Sequence, residues 1–444
     1  MEPVEIIYTI IVESILLFLL PSPLHLLFII FYIIGTLVCN IIGVQSLSDA
    51  GVRAAHLSLS SLVPMYLSGG YKFGAYLLGV SLRTYSSIHR TIGAMAVLQA
   101  IIHVVIAAIT HKISTSNSSH VYGILTASIM LSLVLIPLVK KRVYELFLRM
   151  HQACALLAVY AIWRHTQALT NKYTRLYLFC YLVIFVASLV WRFACILVRN
   201  MAPGRKPTAL IVDIQGENVL RVTISPPRPW RIRAGQWIEL NVPHVGLFYL
   251  LQMHPFTISW WQDDGTGRAA SISLLIRQQS GFTKRLAHRI EPSHIYRAWI
   301  DGPYGATTVG VGRASETMGD YGHILMVATG IGIATQLPYI KELLDGHRKK
   351  NIRTRRISII WQLDEEGDWE GAHDWLQALL KEDEGYLLSV TVYDTLHPVL
   401  TGNPQRFGHH DLIEVYSGVP IWREQLSSEM DKQAGRMLVA GIST

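Results

Sequence analysis

The first two hundred residues read as apolar runs separated by short polar breaks, and the pattern changes past Ala202-Pro203-Gly204-Arg205-Lys206-Pro207. Uncharged stretches lie at 22–48 and 121–139, and stretches with a few polar residues at about 53–67, 88–109, 148–163 and 173–198. Each approaches the ~20 residues an α-helix needs to cross a bilayer, so six spanning helices are expected. A weaker run at 6–20 carries Glu13 and ends at Pro21, which suits an interfacial or re-entrant helix as well as a span. Beyond the linker come short β-rich runs, 209–212, 219–224, 237–242 and 271–276, broken by Gly and Pro. Such runs suggest a small barrel. From His323 the apolar run 324–328 leads into Thr329-Gly330-Ile331-Gly332-Ile333-Ala334, a helical stretch to Leu344 and a further strand at 356–361. Strand, glycine turn, helix, strand is the layout of a nucleotide-binding unit, where glycines let a pyrophosphate approach the backbone and helix amides stabilise its charge. The expected fold is therefore multi-domain: an α-helical transmembrane bundle (1–199), a β-barrel (205–305) and an α/β nucleotide-binding domain (306–444).

Within the apolar runs two pairs of histidines share one spacing, His89 with His103 and His151 with His165. Fourteen residues of α-helix rise roughly 21 Å, and at about 100° per residue the second imidazole returns to within roughly 40° of the first. Each of two helices therefore shows two imidazoles on one face, one per leaflet. Ionisable side chains are costly in a bilayer and mark a pathway or a cofactor, and histidine is an axial ligand of haem iron. Any one of them alone reads better as a satisfied core or interfacial histidine; the repeated spacing is what favours ligation. If the helices face each other, His89 with His151 and His103 with His165 clamp two haems stacked across the membrane.

At 51% hydrophobic and 16% charged over 444 residues, the chain is apolar for a soluble protein and too charged to be membrane throughout. Lys and Arg collect in short cytoplasmic loops. Lys140, Lys141, Arg142 and Arg149, and the exit Arg192, Arg199, Arg205 and Lys206, are thus expected inside. The loop from His111 to His120, with only Lys112 and the glycosylation pattern Asn117-Ser118-Ser119, is expected outside. His89 and His151 then lie toward the cytoplasm, His103 and His165 toward the outside, and everything after Arg199 in the cytoplasm. The net charge of +8 sits largely beside membrane segments, and no nucleic-acid module is visible. The acidic start Met1-Glu2-Pro3-Val4-Glu5 argues against a signal peptide. Cys39, Cys154, Cys180 and Cys195 all lie in apolar segments. That excludes a disulfide framework or a cysteine-ligated iron–sulfur cluster in the cytoplasmic half.

One run is more specific. Met253-His254-Pro255-Phe256-Thr257-Ile258-Ser259 follows the strand entry Gly235-Gln236-Trp237 and precedes Ser280-Gly281-Phe282-Thr283 and Asp301-Gly302-Pro303-Tyr304-Gly305. Together these resemble the flavin and nicotinamide domains of the ferredoxin-reductase superfamily in the form used by fungal ferric (metal) reductases and NADPH oxidases. The resemblance covers about Gly51 to Tyr393. It implies FAD in the barrel domain, held at the His254-Pro255-Phe256-Thr257 stretch. Phe256 would lie on the isoalloxazine ring, Thr257 hydrogen-bond near its N5, and His254 and Arg277 reach the ribose or pyrophosphate, with Gly281 and Thr283 completing the phosphate seat. Gly330, Gly332 and Pro338 resemble the family's pyridine-nucleotide motif, and Trp361 the strand after it, implying NADPH or NADH. The resemblance also places basic residues at Arg53, Arg83 and Arg90; Arg90 is either a partner of a haem propionate or a positive-inside anchor.

The chain departs from the family at two places. Where most such reductases carry a Cys-Gly-Pro segment on a late strand, this chain has Leu438-Val439-Ala440-Gly441-Ile442 and stops at Thr444, so the nucleotide domain reads as cut short. Asp364 stands where the family usually has arginine. An acidic group there prefers a free ribose 2′-hydroxyl, while Arg353, Arg355 and Arg356 could bind a 2′-phosphate, so both nucleotides stand. The resemblance implies a multi-pass oxidoreductase, expected in the plasma membrane. It would pass electrons from cytosolic NAD(P)H through FAD and two haem b groups to extracytoplasmic Fe(III) or Cu(II) chelates, beside downstream iron-uptake proteins. His111 and His120 either help bind the metal or are solvated loop residues. Alternatives are a superoxide-producing oxidase and a truncated, inactive haem- or flavin-binding relative.

Overall fold

The computed structural model describes residues 24–66, 71–110, 114–139, 144–167, 172–250, 252–305, 317–396, 404–408 and 412–442. It divides into two compact units, 1–193 and 194–444. The weak apolar run at 6–20, His111 and Lys112, and the basic cluster Lys140-Lys141-Arg142 lie outside the described residues.

The first unit is helical: α1 (Leu24–Ile41), α2 (Leu47–Leu62), α3 (Tyr71–Leu77), α4 (Leu82–Thr110), α5 (Ser118–Leu135), α6 (Tyr144–Thr166) and α7 (Lys172–Asn200). Local chemistry sets the ends. Ser46 caps α2 by accepting the Asp49 N–H at 3.1 Å, and Asn117 caps α5 by accepting the Ser119 N–H at 2.9 Å. Pro64 and Pro137 lie in the 3₁₀ turns that end α2 and α5. Four segments are long and apolar enough to cross a membrane: Leu82–Thr110, Ser118–Val139, Leu146–Thr166 and Arg175–Asn200. The other two expected spans are shorter. The apolar part of α1 is Leu27–Ile41, and α2 has 16 residues, burying Ala54, Leu57 and Ser58 to Ser61.

In the bundle α2 lies along α4, and α5 along α6. Hydroxyls tie the helices together where water is scarce. Ser58 donates to the Ala96 carbonyl at 2.8 Å, Tyr66 to that of Ala155 at 3.0 Å, and Tyr181 to that of Leu59.

In the second unit β1 (Ala209–Gln215), β2 (Val219–Ser225), β3 (Trp237–Asn241), β4 (His254–Thr257), β5 (Trp260–Asp263), β6 (Ala269–Arg277), β7 (Tyr296–Arg297) and β8 (Trp299–Tyr304) form two antiparallel sheets. Their orders are β5-β6-β2-β1-β7 and β4-β3-β8, around one core that includes Leu210, Ile238, Leu240, Ile272 and Leu274. The expected barrel thus takes the form of two sheets, with no closed ring of strands among the described residues. The short helix α8 (Phe282–Arg289) follows β6. Asn200, the last residue of α7, belongs to this unit and is 1% exposed. Its amide donates to the Ile300 carbonyl at 2.7 Å and accepts the Ile300 N–H at 2.8 Å.

The remaining strands, β9 (His323–Thr329), β10 (Arg356–Leu363), β11 (Leu388–Asp394), β12 (Gln405–Phe407), β13 (Ile413–Ser417) and β14 (Met437–Ile442), form one sheet in the order β12-β13-β11-β10-β9-β14. Every pairing is parallel except that of β12. Helices α9 (Ile333–Arg348), α10 (Glu366–Glu382) and α11 (Trp422–Asp431) connect it. The run Leu438 to Ile442 forms most of β14, an edge strand in register with β9 from Met437 opposite His323.

His323 is fully buried at the start of β9, its Nε2 3.2 Å from Glu429 Oε2 on α11, while Nδ1 has no hydrogen-bond partner among the described residues. Burial holds this imidazole below its ordinary 6.5 against the pull of Glu429. Burial also opposes the charge on Glu429, but hydrogen bonds from Ser358 and Arg356 outweigh it and hold the carboxyl below its ordinary 4.5. Both groups bind protons more weakly folded than unfolded, so both stabilise at neutral pH and lose that contribution as pH falls. Unfolding of this lobe, followed by tryptophan fluorescence, should be least easy above about pH 6.5 and progressively easier as pH falls from there, with the Glu429 part of the loss setting in only below about pH 4.5. His323→Gln should flatten the upper part of that slope.

Candidate functional site

The two histidine-bearing helices meet in the first unit. His103 on α4 and His165 on α6 line one cavity of about 500 Å³, walled mainly by apolar side chains such as Leu59, Val104, Ile124 and Ile162. That volume falls within the range of small-molecule and cofactor sites. His103 Nδ1 lies 2.9 Å from the Gly51 carbonyl and His165 Nδ1 2.7 Å from the Ser119 carbonyl. A carbonyl only accepts, so in both rings Nδ1 carries a proton, which in the neutral imidazole leaves the lone pair on Nε2. This is the tautomer that metal-bound histidines adopt when a backbone carbonyl orients them. The contact at α5 is reciprocal, because the Ser119 hydroxyl donates to the His165 carbonyl at 2.7 Å. One turn along, Gly123 leaves room for the ring: a Cβ there would stand 2.9 Å from His165 Cε1 and Nδ1.

The other pair also meets. The rings of His89 on α4 and His151 on α6 lie with centroids 6.2 Å apart, flanked by Tyr85 at 6.4 Å from His89 and Phe147 at 5.7 Å from His151. Two imidazoles bonded to one metal ion at ~2 Å each hold their centres roughly 6 Å apart, so this spacing suits an ion between them. Buried His151 Nδ1 has no hydrogen-bond partner among the described residues. Arg90 donates to the Ser86 carbonyl at 3.2 Å and lines a separate cavity of about 450 Å³ with Ser87 and Met95. Arg53 donates to the carbonyls of Cys39 and Ile42 at 3.2 and 3.3 Å, closing the end of α1. His120 accepts the Ser114 N–H on Nδ1 at 3.1 Å and lines the same cavity as His103.

In the second unit His254 stacks on Phe282 with centroids 4.0 Å apart and planes 14° from parallel. Tyr249 is 5.7 Å and Phe256 6.2 Å from the same Phe282 ring. Phe256 and Thr257 lie on β4 opposite Ile238 and Trp237, and Pro255 between them and His254 is exposed. Gly281, with φ of 81°, starts α8 at this aromatic group. The Thr283 hydroxyl accepts the Gln279 N–H at 2.8 Å, closing the turn before the helix. Arg277, at the end of β6, is gripped by carboxylates: Asp368 at 2.7 Å, Glu365 at 3.9 Å and Asp364 at 4.0 Å. The side chain of Asp368 is fully buried, and it also accepts the N–H groups of Asp364 at 3.1 Å and Glu365 at 3.0 Å.

That charge group borders the glycine turn. Gly330 has φ of 49°, a left-handed conformation that favours glycine, and a Cβ there would crowd the Asp364 carboxylate and stand 2.7 Å from Arg277 Nη2. Trp361, fully buried on β10, donates its indole N–H to the Gly330 carbonyl at 2.9 Å and stacks on Trp369 at 6.1 Å. It therefore supports the turn from within the fold. Gly332 is buried and accepts the Thr335 hydroxyl at 2.8 Å, and Pro338 is buried within α9. A turn of this kind between a strand end and a helix amino terminus can seat a pyrophosphate. Ser119 entered the sequence analysis only through the glycosylation pattern, and Gly123, Asp368 and His56, which also lines the His103 cavity, were not singled out. A Ser and a Gly four residues apart in an apolar helix were the available signal for the first two.

Residues 54–162 match the ferric reductase like transmembrane component, 206–308 an FAD-binding domain and 321–400 the ferric reductase NAD binding domain. Ferric reductase transmembrane component 6 of Saccharomyces cerevisiae is 28% identical over 61% of this chain and 37% of its own length. Ferric/cupric reductase transmembrane component 2 of Schizosaccharomyces pombe is 23% identical over 67% of this chain and 59% of its own. A probable cell surface ferric reductase of Aspergillus oryzae is 24% identical over 70% and 43% respectively. In each case the match spans less than two thirds of the relative. Among solved structures, the ferredoxin reductase in carbazole 1,9a-dioxygenase is 13% identical over 53% of this chain and 68% of its own, with a TM-score of 0.33.

Gly330→Ala should weaken nicotinamide nucleotide binding at least about tenfold, since a left-handed alanine is strained by 1–3 kcal/mol before any clash is counted. Calorimetric titration with NADH and NADPH checks this, with FAD content expected to stay unchanged. Trp361→Phe should lose a smaller amount, about fivefold, for one hydrogen bond.

Proposed function

We infer that this chain, built from the transmembrane, FAD-binding and NAD-binding domains of the ferric reductase family, is a transmembrane metal reductase. It takes electrons from a nicotinamide nucleotide on the cytoplasmic side and delivers them to Fe(III) or Cu(II) chelates on the other. The observation that carries the reading is the pair of carbonyl-anchored imidazoles, His103 and His165, on one apolar cavity between helices. Relatives named as ferric or cupric reductases support the choice of acceptor.

In this reading the residues divide the work. Gly330 and Gly332 seat the nucleotide's pyrophosphate, with Trp361 holding the turn and Asp364 facing the ribose side. Phe256 and Thr257 position the flavin ring, while His254, Gly281 and Thr283 hold its phosphate side. Arg277 helps by partly neutralising the carboxylates beside the glycine turn. His89 with His151 and His103 with His165 would hold two porphyrins, the second pair offering Nε2 because carbonyls take Nδ1–H, and the walls around that pair are mainly apolar. Flavin, when bound, exchanges a hydride with nicotinamide and single electrons with haem iron, whose potential the protein tunes through its axial ligands and burial. One hydride supplies two electrons, enough to reduce two Fe(III) ions, and its proton remains on the cytoplasmic side.

His103→Ala and His165→Ala should each remove one of two bis-histidine haems, halving the reduced-minus-oxidised haem absorbance. Extracellular Fe(III) reduction should fall by more than about a hundredfold. Added NADH or NADPH should still bleach the flavin. Retention of both haems in either variant would refute the ligand pairing, and a purified chain with no porphyrin would refute the relay.

A further inference from the structure

The parallel register of the nucleotide-binding sheet decides which charged side chains can meet an adenosine ribose. β9 and β10 run side by side, with Arg356 opposite His323 and Gln362 opposite Thr329. The glycine turn follows Thr329, so it stands at the edge of the sheet where β10 ends at Leu363 and Asp364 begins the next connection. Arg356 is six residues back along β10, roughly 20 Å away at ~3.3 Å per residue, and Glu429 holds its guanidinium there at 3.2 Å. Arg353 and Arg355 are tied to the same far edge. Their N–H groups donate to the carbonyls of Gly319 and Gly322, ahead of β9, at 2.7 and 2.8 Å. The distance to the turn is far more than an arginine side chain spans.

At the turn itself the charge has the opposite sign. Asp364 Oδ2 crowds the position of a Cβ on Gly330, and the Asp364 side chain is 30% exposed. Glu365 follows it, and Arg277 lies against both, 4.0 Å from Asp364 and 3.9 Å from Glu365. Arg277 is also engaged by fully buried Asp368 at 2.7 Å, and turning it toward a ligand would strand that carboxylate. One guanidinium among three carboxylates leaves the rim of the turn negative.

Resting on the reading that the turn at Gly330 seats the pyrophosphate of a nicotinamide nucleotide, we propose that Asp364 makes this lobe selective for NADH over NADPH. The adenosine ribose is one methylene from that pyrophosphate, so its hydroxyls fall beside the end of β10, where a carboxylate accepts from a free 2′-hydroxyl. A 2′-phosphate in the same place brings about two further negative charges against Asp364 and Glu365. The arginines that would answer that charge sit at the opposite edge of the sheet.

Calorimetric titration of the full-length chain in detergent with NADH and with NADPH reads the preference without hydride transfer, and flavin bleaching by each gives kcat and KM beside it. NADH should bind at least about thirtyfold more tightly, as for like charges juxtaposed at a recognition site. Asp364→Asn, which keeps the shape and loses the charge, should shrink that ratio about tenfold, chiefly by tightening NADPH. Asp364→Arg should reverse the preference, and Arg353→Ala combined with Arg355→Ala should leave the ratio where it was. The proposal is overturned if the unaltered chain binds NADPH as tightly as NADH, if Asp364→Asn keeps the full ratio, or if the double arginine variant loses NADPH alone. Should Asp364→Asn fail to fold, Asp364→Ser and the ratio in the unaltered chain decide. Binding of neither nucleotide by the unaltered chain would overturn the nucleotide site and the proposal with it, a result distinct from a preference for NADPH.

Discussion

Two backbone carbonyls, at Gly51 and Ser119, fix the orientation of the imidazoles on which the helical unit is organised. An imidazole on a helix can rotate about two side-chain bonds and exist in either tautomer. A carbonyl at under 3 Å removes the choice, putting the proton on Nδ1 and leaving Nε2 as the lone pair. The helix registers follow from this. α2 must present Gly51 to α4, and α5 must present Ser119 and Gly123 to α6, at a separation that an alanine at 123 would not permit. The hydroxyl bonds from Ser58 and Tyr66 pin neighbouring turns to the same register. In a medium without water to accept stray protons, these local bonds carry positional information that soluble bundles obtain from hydrophobic burial.

The second unit solves a different problem, bringing a flavin-binding sheet and a nucleotide-binding sheet to one charged junction. Arg277 leaves the end of β6 and meets three carboxylates at the start of α10, close enough to Gly330 that a side chain in the turn would have to displace them. Buried Asp368 serves twice, neutralising the guanidinium and accepting the amides of Asp364 and Glu365. A buried pair of this kind is weak evidence for stability, yet removing either partner is costly because it strands the other.

Much of this was legible in the sequence, and what was not has a common cause. The strands at 209–212, 219–224 and 324–328 and the helix after Gly332 followed from local periodicity, which the backbone reads residue by residue. The shared spacing of His89 with His103 and His151 with His165 placed each pair on one helical face. Contacts between distant segments left no such trace. Arg277 and Asp368 are 91 residues apart, and Ser119 and His165 are 46 apart. The β-rich runs could not say whether a last ladder would close the ring, and the structure has two sheets. His56 had no repeating partner to mark it, so only the three-dimensional lining of the cavity distinguished it from any other core histidine.

The hydrogen bond from Trp361 to the Gly330 carbonyl has an optical consequence. An indole's emission responds to the polarity and bonding of its N–H, and this one is shielded from solvent and tied to the turn at the strand end. Any shift of that turn must stretch or bend the bond. The lobe thus carries an intrinsic fluorophore bonded to its glycine turn, able to register occupancy of that turn without an added label.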